Sequence, residues 1–177
     1  MLSILQLIVD TIATVLGGVL LLRFWMQAIR VRPPSSVAQF IFTLSDWLVK
    51  PLRRIVPGAG GYDWASLIGA FLVVLLATSI LFIVGASVEQ VLLLALGRFV
   101  KWIIYGFIAL LIIEAIFSWV NPHAPLAPFV HALNDPLLRP IRKVVPPIGG
   151  LDLSVLVAVL LLQIALYVIR MLVPGPY

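Results

Sequence analysis

Apolar residues form four long runs in this chain, separated by stretches in which polar and apolar residues recur at helical spacing. The runs cover about residues 2–22, 65–87, 99–120 and 153–173. Each is long enough for a helix to cross the roughly 30 Å hydrocarbon core of a bilayer. A further apolar segment, 89–98, is too short to cross alone, so it either extends a neighbouring helix or lies at the membrane interface. The pattern predicts an all-α integral membrane protein with four transmembrane helices.

The two long connections between these runs have the pattern of amphipathic helices. Their apolar positions are Val37, Phe40, Ile41, Leu44, Trp47, Leu48 and Leu52 in the first, and Leu126, Phe129, Val130, Leu133, Leu137 and Ile141 in the second. Polar residues occupy the other face, as in helices that lie in the membrane interface with their apolar side in the acyl boundary. We expect Pro51 and Pro140 to break these helices, and the pairs Gly60-Gly61 and Gly149-Gly150 to turn the chain back into the bilayer.

Composition supports lipid as the solvent of this chain. Of its 177 residues 63% are hydrophobic and 11% are charged, whereas soluble domains carry about a quarter charged residues. The chain contains no cysteine, so disulfides, thiolate nucleophiles and thiolate metal sites are excluded.

The net charge of +5 is small, and its distribution predicts the orientation of the helices. The basic residues of the two long connections are Arg23, Arg30, Arg32, Lys50, Arg53, Arg54, Arg139, Arg142 and Lys143, against Arg98, Lys101 and Arg170 on the opposite side. Nine against three places both connections in the cytoplasm and both termini outside. Because these cations flank apolar spans, they favour anionic phospholipids as partners over nucleic acid.

An internal repeat appears when the chain is compared with itself at an offset of 89 residues. The identical pairs include Pro33/Pro122, Asp46/Asp135, Pro51/Pro140, Arg53/Arg142, Pro57/Pro146, Gly60/Gly149, Gly61/Gly150 and Asp63/Asp152. Two unrelated apolar sequences would not align prolines, glycines and charges in one register. We therefore divide the chain into a first repeat at 1–88, a connector at 89–98 and a second repeat at 99–177. Both repeats would have the same topology, and a duplicated unit suggests an ancestor that worked as a dimer.

The residues of the connections resemble those of the YggT family of bacterial inner-membrane proteins. The resemblance lies in SWVNPHAP at 118–125, in NDPLLRPIRKVVPPIGGLDLSVLV at 134–157, and more weakly in SDWLVKPLRRIVPGAGGYDWASL at 45–67. It implies a tandem helical unit in the bacterial inner membrane. It also implies a role near those of relatives linked to cytochrome assembly and thylakoid organisation in plastids, or to osmotic tolerance and cell division in bacteria. No catalytic residue is established for the family. The first repeat departs from the motif, because RVRPPSS at 30–36 stands where the second has WVNPHAP.

The charged residues of the connections are candidates for structural or binding roles. Asp63 and Asp152 directly precede spans, where a carboxylate caps a helix, with an ion or partner contact as the alternative. The candidate lipid- or partner-binding residues are Arg53, Arg54, Arg142, Lys143 and Trp47. The basic members would bind lipid phosphate, pair with Asp46 or Asp135 seven residues upstream, or dock a cytoplasmic protein.

Among the ionisable residues within the predicted spans or at their ends, Glu114, Arg23 and Asp10 are candidates for a functional role. Glu114 lies inside the third span, and burying a carboxylate in a bilayer costs several kcal/mol by typical estimates, so it must face the bundle, be protonated or find a cation. Arg23, at a similar depth in the first helix, is the predicted partner, and proton or cation handling is the alternative. Asp10 raises the same question near the middle of the first span.

These features favour a structural or binding role over catalysis. The leading hypothesis is a non-enzymatic membrane scaffold or assembly factor that contacts anionic lipid and other membrane proteins or copies of itself. The alternative is a small transporter or ion-homeostasis component that uses Glu114 in an oligomer. A membrane enzyme has no residue support, and no cofactor is expected, since the eight-residue spacing of His123 and His131 is not that of a metal or haem site.

Overall fold

The computed structural model of this protein describes residues 2–145 and 152–173, and within these ranges the chain forms six α-helices. They are α1 (Leu2–Ala28), α2 (Ser35–Ile55), α3 (Trp64–Thr78), α4 (Val88–Val120), α5 (Ala127–Arg142) and α6 (Ser154–Leu172). A 3-10 turn, Ser79–Val84, follows α3. The only β-type pairing among the described residues is an isolated bridge between Ala59 and Tyr62.

Four of the helical segments are long and apolar enough to cross a membrane, judged by length and composition. They are Ile4–Ala28, Trp64–Ile83, Val88–Val120 and Ser154–Leu172. The prediction of an all-helical protein with four such segments is therefore confirmed.

The short apolar segment 89–98 forms the first part of α4, which is 33 residues long. The cause is a capping box at the start of the helix. Ser87 Oγ accepts from the Gln90 N–H at 3.2 Å, and Gln90 Oε1 accepts from the Ser87 N–H at 2.9 Å. These reciprocal bonds satisfy two N–H groups that lack helical partners, so the helix begins here and not ten residues later. The Ser-x-x-Gln signature was present in the sequence.

Contacts between helices define their directions. In the first third of each helix α1 and α4 are joined by Asp10 and Arg98, and further along both helices by an edge-to-face contact of Trp25 with Phe107. These two helices therefore run parallel. Trp64 at the start of α3 packs near Phe24 at the end of α1, so α3 runs the opposite way. Gly97 in the first third of α4 lies against the Val173 side chain just beyond the end of α6, so α6 also runs opposite to α4. The connections that contain α2 and α5 consequently lie at the same end of the bundle.

The apolar faces of α2 and α5 pack largely against the protein itself. Val49 of α2 is buried against α1 and α3 and Ile41 against α1, while Leu133 and Leu138 of α5 are buried against neighbouring helices. Leu133 also belongs to the cluster that contains Ile41, together with Val19 and Met26 of α1. Of the apolar face predicted for α2, Phe40 and Trp47 are exposed, at 59% and 64%.

The prolines do not break the two connecting helices, so that prediction was wrong. Helix α2 continues through Pro51, and α5 continues through Pro136 and Pro140. An interior proline removes one backbone hydrogen bond and costs about 3 kcal/mol. Burial of one face of each helix offsets this cost, because most helical stability in proteins comes from packing.

The predicted glycine turn is present in the first half of the chain. Gly60 and Gly61 have φ of 66° and 82°, a region that side chains disfavour, and they lead directly into α3. The corresponding prediction for Gly149-Gly150 falls outside the described residues.

Candidate functional site: two ion-pair clusters at one end of the bundle

The first ion-pair cluster joins α1, α2 and the start of α3, and it consists of Arg23, Asp46, Lys50, Arg53 and Asp63. Arg23 Nη1 donates to Asp46 Oδ1 at 2.7 Å, and its Nε lies 3.5 Å from Asp63 Oδ2. Arg53 donates to both oxygens of Asp63, at 2.6 and 3.1 Å. Lys50 completes the cluster by pairing with Asp46 at 2.9 Å. The result is a chain of alternating charges that ties three helices together.

Asp63 has a different role from the cap that its position predicted. It does occupy the residue before α3, but its side chain accepts no capping hydrogen bond from the backbone. The carboxylate accepts from Arg53 and from the Ser66 hydroxyl instead. The side chain is only 2% exposed, and a buried carboxylate gains more from a bidentate guanidinium than from single N–H groups.

The acids of this cluster are held in their charged form. Burial by itself raises the pKa of the Asp63 carboxyl, but hydrogen bonds from Arg53 and Ser66 outweigh burial and hold that pKa below its usual value. Hydrogen bonds from Lys50 and Arg23 lower the pKa of Asp46 in the same way. The bond to Asp63 raises the pKa of Arg53.

The second ion-pair cluster joins α4, α5 and the start of α6, and it consists of Glu114, Asp135, Arg139, Arg142 and Asp152. Arg142 is at its centre, 2.8 Å from Asp152, 3.3 Å from Glu114 and 3.9 Å from Asp135. Arg139 pairs with Asp135 one turn away. Asp152 also accepts from the Ser154 N–H at 2.9 Å, so it satisfies a backbone donor in the first turn of α6.

Asp152 is more exposed than Asp63, and its pKa has the same direction of shift. Burial raises the pKa of the Asp152 carboxyl, but hydrogen bonds from Arg142 and Ser154 outweigh burial and hold it below its usual value.

Four positions of each cluster correspond at the offset of 89 residues, and the fifth charged residue of each cluster has an uncharged counterpart in the other half of the chain. The shared pairs are Asp46/Asp135, Lys50/Arg139, Arg53/Arg142 and Asp63/Asp152. Arg23 of the first cluster corresponds to Ile112, and Glu114 of the second corresponds to Trp25. The first cluster therefore holds three cations and two anions, whereas the second holds two cations and three anions.

The predicted pair of Glu114 with Arg23 was wrong. Glu114 Oε1 lies 2.9 Å from His131 Nδ1, and Arg142 is its basic partner. Its other oxygen, Oε2, is buried with no hydrogen-bond partner among the described residues. Arg23 faces α2 and α3, because Asp46 and Asp63 lie on that side of α1. His131 could have been found in the sequence, since it lies on the polar face of the predicted second connecting helix.

Arg53 also differs from the pairing that the sequence suggested, because it binds Asp63 ten residues downstream and forms no ion pair with Asp46. Among the described residues, Arg54 and Lys143 form no ion pair or side-chain hydrogen bond, and both are exposed. The Trp47 indole donates to the Leu44 carbonyl at 2.8 Å while its ring remains exposed.

Asp10 is paired at the opposite end of the bundle. Arg98 donates to it at 2.6 Å, and the same guanidinium lies over the Trp102 ring at 5.4 Å. The pairing of Asp10 with Arg98 was not predicted, because the two residues lie on different helices 88 positions apart.

An apolar cavity of about 310 Å³ separates the two ends of the bundle. It is lined by Gly18, Leu21, Leu22, Phe24, Trp25, Leu67, Trp102, Ile103, Gly106, Phe107, Ala109 and Leu110. Most of these residues lie between the level of Asp10 and Arg98 and the level of Arg23 and Glu114. The polar groups of the two ends are thus not joined through this cavity in the single chain.

Comparisons with known proteins agree on one family. The CCB3/YggT family model matches residues 1–84 and 93–173. The YggT protein of Escherichia coli strain K12 is 34% identical over 175 residues, covering 94% of this chain and 87% of the relative. A relative from Pseudomonas aeruginosa is 38% identical over 164 residues, covering 89% of this chain and 83% of the relative. No solved structure matches. The names of these relatives state no activity, so no site residue is carried over from them.

Proposed function

This chain belongs to the CCB3/YggT family, and on that premise we propose that it is a non-enzymatic scaffold or assembly factor of the membrane. It presents basic segments at the cytoplasmic surface and holds another membrane protein, or a second copy of itself, beside anionic phospholipid.

The observation that carries this proposal is the division between paired and unpaired charges. Arg23, Asp10 and Glu114, the ionisable residues of greatest interest in the long helices, each have a charged partner inside the chain. In contrast Arg30, Arg32, Arg54 and Lys143 are exposed, have no ion pair among the described residues, and lie at one end of the bundle. Internal pairing stabilises the fold, while free cations at one end suit anionic head groups or an acidic partner.

In this proposal the chain consists of two tandem repeats of the same topology, each with an amphipathic helix in the membrane interface. The matching ion pairs of the two clusters support a repeat, as does the parallel course of α1 and α4. The exposed rings of Phe40 and Trp47 support contact of α2 with lipid, because aromatic side chains favour the membrane interface.

The proposed location is the bacterial inner membrane, with both connections cytoplasmic and both termini outside. The position of Arg54 and Lys143 at one end of the bundle supports this orientation under the positive-inside rule. Exposed apolar residues along α6, including Leu160, Leu161 and Ile164, provide a surface for lipid or for a neighbouring helix.

A transporter or ion-homeostasis component is the second candidate, and Glu114 is the residue that favours it. Its Oε2 is buried without a hydrogen-bond partner among the described residues, while the side chain of its contact His131 is 55% exposed. Such a carboxylate could exchange a proton or bind a cation. The apolar cavity between the two ends of the bundle means that a polar path would need an oligomer.

Reconstitution separates the two candidates. Vesicles containing the full chain and an ion-sensitive dye are expected to show no H⁺, Na⁺ or K⁺ flux above that of empty vesicles. A flux that Glu114→Gln abolishes, with the fold intact by circular dichroism, would overturn the scaffold proposal and support transport.

Cross-linking in native membranes tests the scaffold itself. A photoreactive group at position 47 is expected to capture one defined membrane protein or a second copy of this chain, and Arg54→Gln or Lys143→Gln is expected to weaken the capture. Arg170→Gln removes the same charge at the opposite end and is the matched control. Equal loss with all three variants would contradict recognition at the basic end.

A further inference from the structure

A second cavity, of about 410 Å³, opens where α1 ends, and three arginines contribute to its wall. It is lined by Arg23, Met26, Gln27, Arg30, Val31, Arg32, Pro33, Phe42 and Gly61. Its volume lies within the range of about 300–1,000 Å³ that is typical of small-ligand sites. The lining contains no acidic residue.

Arg23 is a fixed part of this wall. Its side chain is 6% exposed, and Nη1 donates to Ser45 Oγ at 2.6 Å and to Asp46 Oδ1 at 2.7 Å. The guanidinium carbon lies 4.8 Å from the centre of the Phe42 ring, which also lines the cavity. Its Nε is buried and lies 3.5 Å from Asp63 Oδ2, so acids on two sides hold this guanidinium in place.

Arg30 stands in a backbone conformation that arginine rarely adopts. Its φ is +58°, and α1 ends there with the Arg30 N–H donating to the Gln27 carbonyl and the Val31 N–H donating to the Met26 carbonyl. Helices that end with this pair of bonds usually have glycine at the position of Arg30. Retaining a long cationic side chain here, at the edge of a cavity, indicates a use for the guanidinium.

The cavity is electropositive because its other two arginines are not neutralised. Arg30 and Arg32 form no ion pair among the described residues, whereas Asp46 and Asp63 lie outside the lining and pair with Arg23. Three guanidiniums with planar forks of N–H donors suit an anion that has several oxygen atoms on one centre, and phosphate is the common example.

The second half of the chain does not repeat this cavity's chemistry. The positions that correspond to Arg23, Arg30 and Arg32 are Ile112, Trp119 and Asn121. The arginines are therefore not a by-product of the shared architecture.

We propose that this cavity is a discrete binding site for a phosphate group, carried either by a phospholipid head group or by free phosphate. The inference goes beyond the proposed function, since it concerns one saturable site and would hold whether or not the chain is a scaffold. Arg30 and Arg32 supply the unneutralised charge, and Arg23 supplies the fixed wall.

The test uses the full chain purified in a neutral detergent and compares three variants. Arg30→Gly removes the guanidinium while placing at φ +58° the residue that fits it best, so this variant is expected to fold at least as stably as the wild type. Arg32→Gln removes the second free charge. Arg170→Gln, which removes an exposed cation at the other end of the bundle, is the matched control.

Binding is measured by native mass spectrometry and by the shift of the unfolding temperature, with phosphatidylglycerol, phosphatidylcholine and inorganic phosphate as separate probes. We expect one phosphatidylglycerol per wild-type chain, little effect of phosphatidylcholine, and an affinity lower by about tenfold or more in Arg30→Gly and Arg32→Gln. Saturable binding of inorganic phosphate with the same dependence on the variants would support the site with free phosphate as its ligand.

Two results would overturn the proposal. One is wild-type affinity for every phosphate probe in Arg30→Gly and Arg32→Gln. The other is an equal loss in Arg170→Gln, which would mean a response to the net charge of the chain and not binding at this cavity. Neither result bears on the capture of a partner at position 47, so this site and the scaffold can fail separately.

Discussion

At the scale of single residues, the same contact closes both connections of the molecule. Arg53 binds Asp63 and Arg142 binds Asp152, in each case across ten residues that lead from a connecting helix into an apolar one. A carboxylate at the start of an apolar helix loses hydration, and a bidentate guanidinium restores the hydrogen bonds that it loses. The two contacts differ in burial, because the Asp63 side chain is 2% exposed and that of Asp152 is 37% exposed.

We expect this difference in burial to appear in stability. Asp63→Asn should lower the free energy of unfolding by about 2 kcal/mol, because it leaves the buried Arg23 with one acid and removes the charge opposite Arg53. Asp152→Asn should cost less than about 1 kcal/mol, since its pair is solvated. Thermal unfolding of both variants in the same detergent measures the difference, and equal losses would contradict this account of burial.

The contribution of Asp63 should also depend on pH. Its pKa is lower in the folded chain than the usual 3.8, so the unfolded chain binds the proton more tightly. The stability that the charge contributes is therefore fully present above that value and is lost as the pH falls through the folded pKa. The gap in unfolding temperature between wild type and Asp63→Asn is expected to narrow below pH 3.8. A gap that stays constant in acid would rule out this linkage.

At the scale of elements, close approach of α1 and α4 depends on one glycine. A Cβ on Gly17 would overlap the ring of Trp102, whereas a Cβ on the neighbouring Gly18 would meet nothing within 4 Å. The same indole is the surface over which Arg98 lies when it binds Asp10. Packing and ion pairing at this end of the bundle therefore share one side chain.

Alanine substitution should affect stability differently at Gly17 and at Gly18. Gly17→Ala is expected to destabilise the protein by about 1–3 kcal/mol, because Trp102 must move to make room. Gly18→Ala adds a methyl group to the wall of the apolar cavity and should leave stability unchanged or raise it by up to about 1 kcal/mol. Unfolding in detergent provides the comparison, and the prediction fails if the two variants behave alike.

At the scale of the whole molecule, the parallel course of α1 and α4 places both basic connections at one end. If the four apolar helices cross a bilayer, residues 54 and 143 face the same compartment and residue 89 faces the other one. We propose, from the positive-inside rule, that the first compartment is the cytoplasm.

Cysteine labelling tests this arrangement directly, because the chain has no native cysteine. Arg54→Cys and Lys143→Cys should both be protected from an impermeant maleimide in intact cells and should react after lysis. Glu89→Cys, at the exposed start of α4, should react in intact cells. Labelling of positions 54 and 143 from different sides would contradict a common topology for the two halves.

The number of apolar helices, the glycine turn at 60–61 and the positions of the charged residues could be derived from the sequence alone. These features depend on local causes, namely the length of apolar runs, the helical period and the conformational freedom of glycine. For the same reason the resemblance carried by the connections led to the correct family.

Only the tertiary structure decided which charges meet, because pairing depends on how each helix is rotated about its axis and which neighbour it faces. With the helices rotated as they are, Arg23 faces Asp46 and Asp63. Glu114 faces Arg142 and His131, and Arg98 faces Asp10. The survival of the helices through Pro51 and Pro140 has a similar origin, since burial against other elements offsets a local cost. The sequence identifies the buried charged groups that need partners, and the packing of helices that are distant in sequence determines which partners they have.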